Sequence, residues 1–206
     1  MSDFLPPDYK VPESEGSYMK LAQGDNRFRV LGKAIVGNEY WVTFMSEGKE
    51  VRKPKRVRMD TIIPVGEVEG SVKHFWAMPV FNYDSSKIQI LTLTQKGLQK
   101  AITALVQNKK WGSPENYNLI INRVGEGLET EYMVTPEPTD EDEEKMIAEI
   151  KKEYEEMGIQ MNNLYISAEF PYGGDPFQKQ EVEMTDEEVE KINQSLNSYY
   201  GIFYTS

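Results

Sequence analysis

The feature that most constrains the fold is a series of short alternating segments interrupted once by an amphipathic helix. Apolar and polar residues alternate, or apolar residues dominate, over 27–36, 39–45, 73–83, 87–93, 117–124 and 131–135, which predicts strands. A single apolar stripe after Thr94 predicts one helix, carried by Leu98, Ile102, Leu105 and Val106. If 27–36 and 39–45 are counted together as one long, glycine-interrupted first strand, the order is three strands, a helix and two strands.

This order is the chain order of the OB-fold, a small five-stranded Greek-key barrel. We therefore predict a mainly β protein with an OB-fold barrel over 25–138 and a helix between its third and fourth strands. Residues 1–24 are rich in Pro, Gly and Ser and predict an N-terminal arm. Gly32 predicts a bulge or bend in the first strand, and Gly37-Asn38 predicts a turn.

The last third of the chain is expected to form an acidic, partly helical appendage over 139–206. One helix is predicted from about Thr139 to Met157, since its early Asp and Glu residues suit the helix dipole. A second, over about 186–197, begins with a capping box formed by Thr185 and Glu188. The chain then closes on an aromatic, uncharged stretch, 199–204.

Composition excludes several chemistries. The chain has no Cys and one His, His74, so disulfides, thiolate metal clusters and His-rich zinc sites are excluded. The chain lacks a P-loop motif. Gly125-Glu126-Gly127 is predicted to be a hairpin turn and not a dinucleotide-binding motif, because no third glycine or helix follows. We expect no enzyme activity, no cofactor and no metal.

No apolar run is long enough to span a bilayer, and the amino terminus lacks the basic and apolar regions of a signal peptide. We therefore expect a protein without membrane contact, located in the cytoplasm, or in the host cytoplasm if the gene belongs to a phage.

The net charge of −11 is unevenly distributed. Residues 1–135 contain 18 Lys and Arg against 16 Asp and Glu, a net of +2, whereas residues 136–206 contain 5 against 18, a net of −13. Such asymmetry is typical of a binding domain with an acidic appendage. Within the first part, the segment 49–58 holds six cations and one anion, and it is predicted to be a loop.

Aromatic residues flank this basic segment on both sides. Clustered cations that follow phosphates, together with flat rings on which bases stack, are what a sequence-independent single-strand binder needs. The cations expected to bind DNA are Arg27, Arg29, Lys33, Arg52, Lys53, Lys55, Arg56, Arg58 and Lys73. The rings expected to stack on bases are Tyr40, Trp41, Trp76, Phe81 and Tyr83.

A barrel this small must bury some of these rings. On strict alternation, Arg27, Arg29 and Lys33 share the exposed face of the first strand, opposite Phe28 and Val30. In the strand 73–83, one face carries Trp76 and the other Phe75, Phe81 and Tyr83, and we expect one of these faces to be core. Trp111 is expected to cover the end of the helix, and His74 to lie at the surface.

Several blocks also resemble a known family, the single-stranded DNA-binding proteins of tailed bacteriophages and prophages. The resemblance covers about 18–138 and rests on the blocks 27–31, 37–41, 73–77, 82–83, 90–96 and 127–132. It implies an OB barrel, single-stranded DNA as ligand, and a role in replication, recombination or repair. The chain lacks the cysteines of the zinc ribbon found in some members, and it ends in Phe203-Tyr204-Thr205-Ser206 rather than in an acidic tail with a terminal Phe.

We therefore expect sequence-independent binding of single-stranded DNA, and five to six neutralised phosphates predict a salt slope of about −3.5 to −4. The acidic region 137–156 is expected to compete with DNA for the basic groove, and it is also a candidate docking site for replication or recombination proteins. The oligomeric state stays open, with a homodimer among the options.

The main alternative is a protein-interaction module or inhibitor whose acidic third mimics DNA. An oligosaccharide binder is the third option, although clustered cations serve no neutral sugar.

Overall fold

A computed structural model describes residues 16–178 except 47, 65, 67 and 169. Most of the predicted arm, the second acidic helix and the aromatic end lie outside the described residues. The eight strands are β1 (Tyr18–Met19), β2 (Gly24–Val30), β3 (Ile35–Ser46), β4 (Lys49–Val57), β5 (Glu69–Asn82), β6 (Lys87–Leu93), β7 (Asn118–Val124) and β8 (Glu131–Glu137). The α-helices are α1 (Lys96–Gln107) and α2 (Glu141–Met157), and 3₁₀ turns occupy Pro114–Asn116, Gly127–Glu129 and Met161–Leu164.

The strands form one open mixed sheet in the order β1-β6-β5-β2-β7-β8, with β3 attached to β5 and β4 to β3. The mainly β class and the helix between β6 and β7 are confirmed, but the predicted closed five-stranded barrel is wrong. The reason lies in β5, whose 14 residues exceed what one partner spans. Its first half pairs with β3 and its second half with β2, so the sheet branches instead of closing.

The chain is irregular at Gly32 as predicted, but the single strand predicted over 27–36 is wrong, because residues 31–34 separate β2 from β3. The turn predicted at Gly37-Asn38 is wrong, because both residues lie inside β3 and pair with β5. Gly37 is required there for space: a Cβ would collide with the carbonyl oxygen of Val57 and lie 2.9 Å from the Phe75 ring. The residue that looked like a turn signal instead permits close packing of β3.

The basic segment predicted as a loop is strand β4. It pairs with β3 in one continuous antiparallel register from Asn38↔Val57 to Ser46↔Lys49. Pro54 and the dense cations hid this strand in the sequence, since proline is confined to edge strands and lysine is typical of them. The end of the predicted N-terminal arm also belongs to the sheet, because Tyr18 and Met19 pair in parallel with Ile90 and Leu91.

Both faces of β5 are core, so the expectation that only one would be buried is wrong. One face of β5 packs on β2 and α1. The buried residues of this layer are Met78 and Val80 of β5, Phe28 and Val30 of β2, and Leu98 and Ile102 of α1. On the other face Phe75, Ala77 and Phe81 are buried under α2 and the segment that follows it. A sheet covered on both sides buries both sets of alternating side chains.

The helix α2 is a structural layer of this fold. The side chain of Asp140 caps its first turn by accepting hydrogen bonds from the amides of Asp142 and Glu143 at 3.1 and 2.9 Å. Gly158, with φ +63°, ends it in a left-handed cap. Ile147 is buried against Leu31 and Phe81, so the predicted acidic helix is confirmed and its apolar side completes the core.

Candidate nucleic-acid interface

Among the described residues, exposed cations cluster on the β3/β4 hairpin, which we call the basic hairpin (35–46 and 49–57, with Arg58 following). Lys49, Arg52, Lys53 and Arg58 are exposed, whereas Lys55 and Arg56 are half-buried. Because successive residues of a strand point to opposite faces, Arg52 and Lys53 lie on different faces of the hairpin. A nucleic-acid strand that contacts all of these cations would have to run along the edge of the hairpin.

Trp41 lies directly across from Pro54 in this register and is half-buried. The guanidinium of Arg52 sits over its ring at 4.9 Å from the centroid, and the Arg52 Nε also approaches a carboxylate oxygen of Glu69 at 3.5 Å. The side chains of Arg52 and Glu69 are 60% and 42% exposed, so this ion pair is weak and open to exchange. Trp41 is thus a partly accessible ring next to a releasable cation.

The other predicted ligands in this hairpin are less accessible. Arg56 donates a hydrogen bond from Nε to Glu39 Oε2 at 2.8 Å, and its guanidinium lies 5.6 Å from the centroid of Phe75. Tyr40 packs with Val42 and Val57 in a small core and is only 1% exposed. The expectation that Tyr40 stacks on bases is therefore wrong for this conformation, because its side of β3 faces inward.

The first-strand arginines lie against the acidic helix. Arg27 donates a hydrogen bond from Nε to Glu137 Oε2 at 2.6 Å and a second from Nη2 to Glu143 Oε1 at 2.7 Å. Its guanidinium also covers the ring of Tyr83 at 4.2 Å. Arg29 is fully buried and bonds the side chains of Asn118, Thr139 and Glu144 and the carbonyl of Glu115.

The predicted exposed cationic face of this strand is therefore wrong at Arg29. Glu143 and Glu144, in the first turn of α2, cover this face at Arg27 and Arg29. Sequence alternation gave the correct face, but it could not show that another element covers it.

Asn118 organises this cluster. Its side chain is completely buried, its Oδ1 accepts hydrogen bonds from Arg29 Nε and the Tyr83 hydroxyl, both at 3.0 Å, and its Nδ2 donates to Glu137 at 3.2 Å and Glu143 at 2.9 Å. Every donor and acceptor of the amide is used, which is what makes a buried polar network stabilising.

The same contacts shift three pKa values. Burial, together with the neighbouring Glu143 carboxylate, raises the pKa of Tyr83 to about 12. Partial burial acts to raise the pKa of Glu137, but hydrogen bonds from Arg27 and Asn118 outweigh it and hold that pKa below its usual value. A hydrogen bond from Thr139, aided by Arg29, lowers the pKa of Glu144. These carboxylates are thus held in the ionised form.

The remaining predicted ligands are dispersed. Lys33 is exposed in the break between β2 and β3, and Lys73 is exposed on β5 opposite Glu39. Trp76 is half-buried and donates a hydrogen bond from Nε1 to His74 Nε2 at 3.0 Å, while Phe81 is buried beneath α2. The structure therefore places Trp41 and the cations on the basic hairpin, with Lys73 on the neighbouring strand β5. It does not bring Phe81 or Tyr83 to this surface.

A cleft of about 550 Å³ next to the basic hairpin was missed by the sequence reasoning. We call it the tyrosine cleft, and its lining includes Tyr18, Lys53, Arg56, Tyr172 and Asp175. Tyr18 comes from the predicted arm and Tyr172 from the predicted acidic appendage. The only sequence signal for either was an isolated aromatic in a polar segment, which does not identify a site.

The segment after α2 builds the far wall of this cleft. The Ile166 amide donates to the carbonyl of Arg56 at 2.8 Å, which anchors the segment to the edge of β4. The ring of Tyr172 then stacks on Phe44 with 4.0 Å between centroids and 16° between planes. The ammonium of Lys55 lies 5.4 Å from the Tyr172 centroid.

Comparison of the chain with protein-family profiles, curated proteins and solved structures found no match. The resemblance to single-stranded DNA-binding proteins therefore stays a sequence-based prediction. Among the described residues, no helix is long and apolar enough to cross a membrane, and no group of three or more His, Cys, Asp or Glu side chains is arranged to hold a metal ion.

Proposed function

We propose that this protein binds single-stranded DNA through the basic hairpin. The observation that supports the proposal best is the half-buried ring of Trp41 beneath the exposed Arg52, on a strand pair that also exposes Lys49, Lys53 and Arg58. Stacking on an aromatic ring and neutralisation of nearby phosphates are the two contributions such binding requires. Arg27 and Arg29 are left out of the interface, because α2 holds both.

This smaller set of cations lowers the expected salt dependence. Four exposed cations on the basic hairpin, together with Lys73 on β5, predict a slope of log K against log salt of about −3. The larger slope predicted from sequence included the two first-strand arginines and Arg56, each of which already bonds a carboxylate.

The test compares two triple variants by fluorescence titration with an oligo-dT at several salt concentrations. Replacement of Arg52, Lys53 and Arg58 by Ala is expected to weaken binding and bring the slope to about −1. The matched control replaces Lys100, Lys109 and Lys110, exposed cations on and after α1, and removes the same charge. Equal losses in the two variants, or a wild-type slope near zero, would contradict the proposal.

Tryptophan emission adds a site-specific readout. Trp41→Phe is expected to abolish most of the quenching by DNA, whereas Trp111→Phe is expected to preserve it, because Trp111 packs against Tyr117. Quenching that survives in Trp41→Phe would place the strand elsewhere.

The DNA-mimic alternative is less well supported. Glu137, Glu143 and Glu144, which a mimic would present to a partner, are already paired with Arg27 and Arg29 of this chain. The remaining carboxylates of α2 are exposed, as is ordinary for a solvated helix face.

A further inference from the structure

The tyrosine cleft combines features that a purely electrostatic interface does not need. Two partly exposed rings line it, Tyr18 at 38% and Tyr172 at 36% exposure. At about 550 Å³ the space falls within the usual range for small-ligand pockets. It adjoins the basic hairpin directly, since Lys53 and Pro54 of β4 belong to its lining.

The charges in the cleft select among anionic ligands. Lys53 supplies one exposed cation, Arg56 is balanced by Glu39 at 2.8 Å, and Asp175 adds a carboxylate to the lining. The sum is close to zero, which disfavours a multiply charged group such as a triphosphate and permits one phosphodiester at Lys53.

The rings are supported as stacking surfaces. Phe44 covers one face of Tyr172 in a near-parallel stack, and the Lys55 ammonium lies 5.4 Å from the ring centroid, so a base that enters the cleft would contact the part of the ring that stays exposed. Tyr18 is fixed by its pairing with Ile90, and burial raises the pKa of its hydroxyl, so it is un-ionised at neutral pH. Neutral rings of this kind accept bases of any sequence.

Asp175 adds a hydrogen-bond acceptor. Its Oδ1 accepts from the Phe177 amide at 3.0 Å, which orients the carboxylate at the rim. Carboxylates pair with exocyclic amino groups of bases such as cytosine N4, which thymine lacks.

We propose, on the basis of the function proposed above, that the tyrosine cleft takes one base of the bound strand between Tyr18 and Tyr172 and favours a base with an exocyclic amino group. The flanking phosphodiester lies at Lys53. The cleft thereby gives a modest preference at one position to an otherwise sequence-tolerant interface.

The test measures binding of fluorescently labelled (dC)10 and (dT)10 by anisotropy. Tyr18→Ala and Tyr172→Ala are each expected to weaken (dC)10 binding by at least about fivefold, the lower end of the loss of one stack. Tyr18→Phe and Tyr172→Phe keep the rings and are expected to bind like wild type. Leu128→Ala, which removes a fully exposed apolar side chain in the β7/β8 turn, is the matched control.

The base preference has its own variant. Wild type is expected to bind (dC)10 at least about fivefold more tightly than (dT)10, and Asp175→Asn is expected to abolish the difference while its Oδ1 still caps the Phe177 amide. Folded Tyr→Ala variants that bind normally, or an unchanged ratio in Asp175→Asn, would overturn this inference alone. Failure of wild type to bind either oligonucleotide with salt dependence would instead overturn the proposed function.

Discussion

Replacement of Asn118 by Asp is the sharpest probe of the polar cluster beneath α2. The two side chains have the same shape, but Asp places an oxygen where Nδ2 now donates to Glu137 at 3.2 Å and Glu143 at 2.9 Å. At an effective dielectric constant of about 20, each new pair of like charges repels by about 5 kcal/mol. Attraction between the new carboxylate and Arg29, whose Nε lies 3.0 Å from the side-chain oxygen of residue 118, offsets about one of these two repulsions. Solvent screening at Glu137 reduces the other repulsion.

We therefore expect Asn118→Asp to lower the free energy of unfolding by about 3 kcal/mol at neutral pH. The loss should shrink as the pH falls, because crowding raises the pKa of a carboxyl in the folded cluster and the folded state then binds the extra proton first. The assay is urea denaturation followed by circular dichroism at pH 5 and 8.

Asn118→Leu serves as the matched control, since it removes the same four hydrogen bonds without adding charge. Its stability deficit relative to wild type should not shrink at pH 5. If Asn118→Asp is as stable as wild type at pH 8, or if the two variants respond alike to pH, the amide is not oriented as described.

Three further outcomes follow from the packing. Gly37→Ala should destabilise the protein by about 3 kcal/mol or more in a thermal melt, because the added Cβ meets the carbonyl of Val57 and the Phe75 ring. The control is Gly97→Ala in α1, which has open space around it and should be neutral or slightly stabilising. Equal effects of the two substitutions would contradict the steric explanation. The wild-type protein should lose stability in acid. Because the pKa values of Glu137 and Glu144 are lowered in the folded state, the stabilisation present above pH 4.5 is lost as the pH falls through those folded-state pKa values. A denaturation midpoint that is unchanged down to pH 3 would refute this. If the acidic region competed with DNA for the basic groove, truncation after Pro138 would tighten DNA binding. The cut would also expose Leu31 and Phe81 and leave the buried Arg29 without Glu144, so we expect a chain that melts well below wild type. A stable, cooperatively folded fragment would contradict that.

Local patterns in the sequence were sufficient for most individual elements. The strand predicted over 87–93 is β6, and the helix α1 begins at Lys96, close to the predicted start after Thr94. The strand β4 was missed because its apolar signal is weak: Val51 and Val57 are its only branched apolar residues, and Pro54 interrupts it. Its structure depends on pairing with β3, which local composition does not encode.

The candidate site was harder to predict than the elements. The basic segment 49–58 was singled out from its cations, since clustered charge is visible in sequence, but its pairing with β3 in a hairpin was not predicted. The loss of Arg29 to the interior depends on α2, which is more than a hundred residues away in the chain, at Glu144. Tyr18 and Tyr172 meet at one cleft only because β1 and the segment after α2 both reach the edge of β4, and no spacing rule relates positions so far apart.

The branching role of β5 has a consequence for how the chain folds. Three strands, β2, β3 and β6, all take β5 as a hydrogen-bonded partner, and β2 also pairs with β7 across long stretches of chain, as in Gly24↔Arg123. Contacts this distant require costly loop closure before they stabilise anything, which slows folding. The amides in the second half of β5 should accordingly be the last to exchange with deuterium, whereas those of the basic hairpin should exchange through local opening.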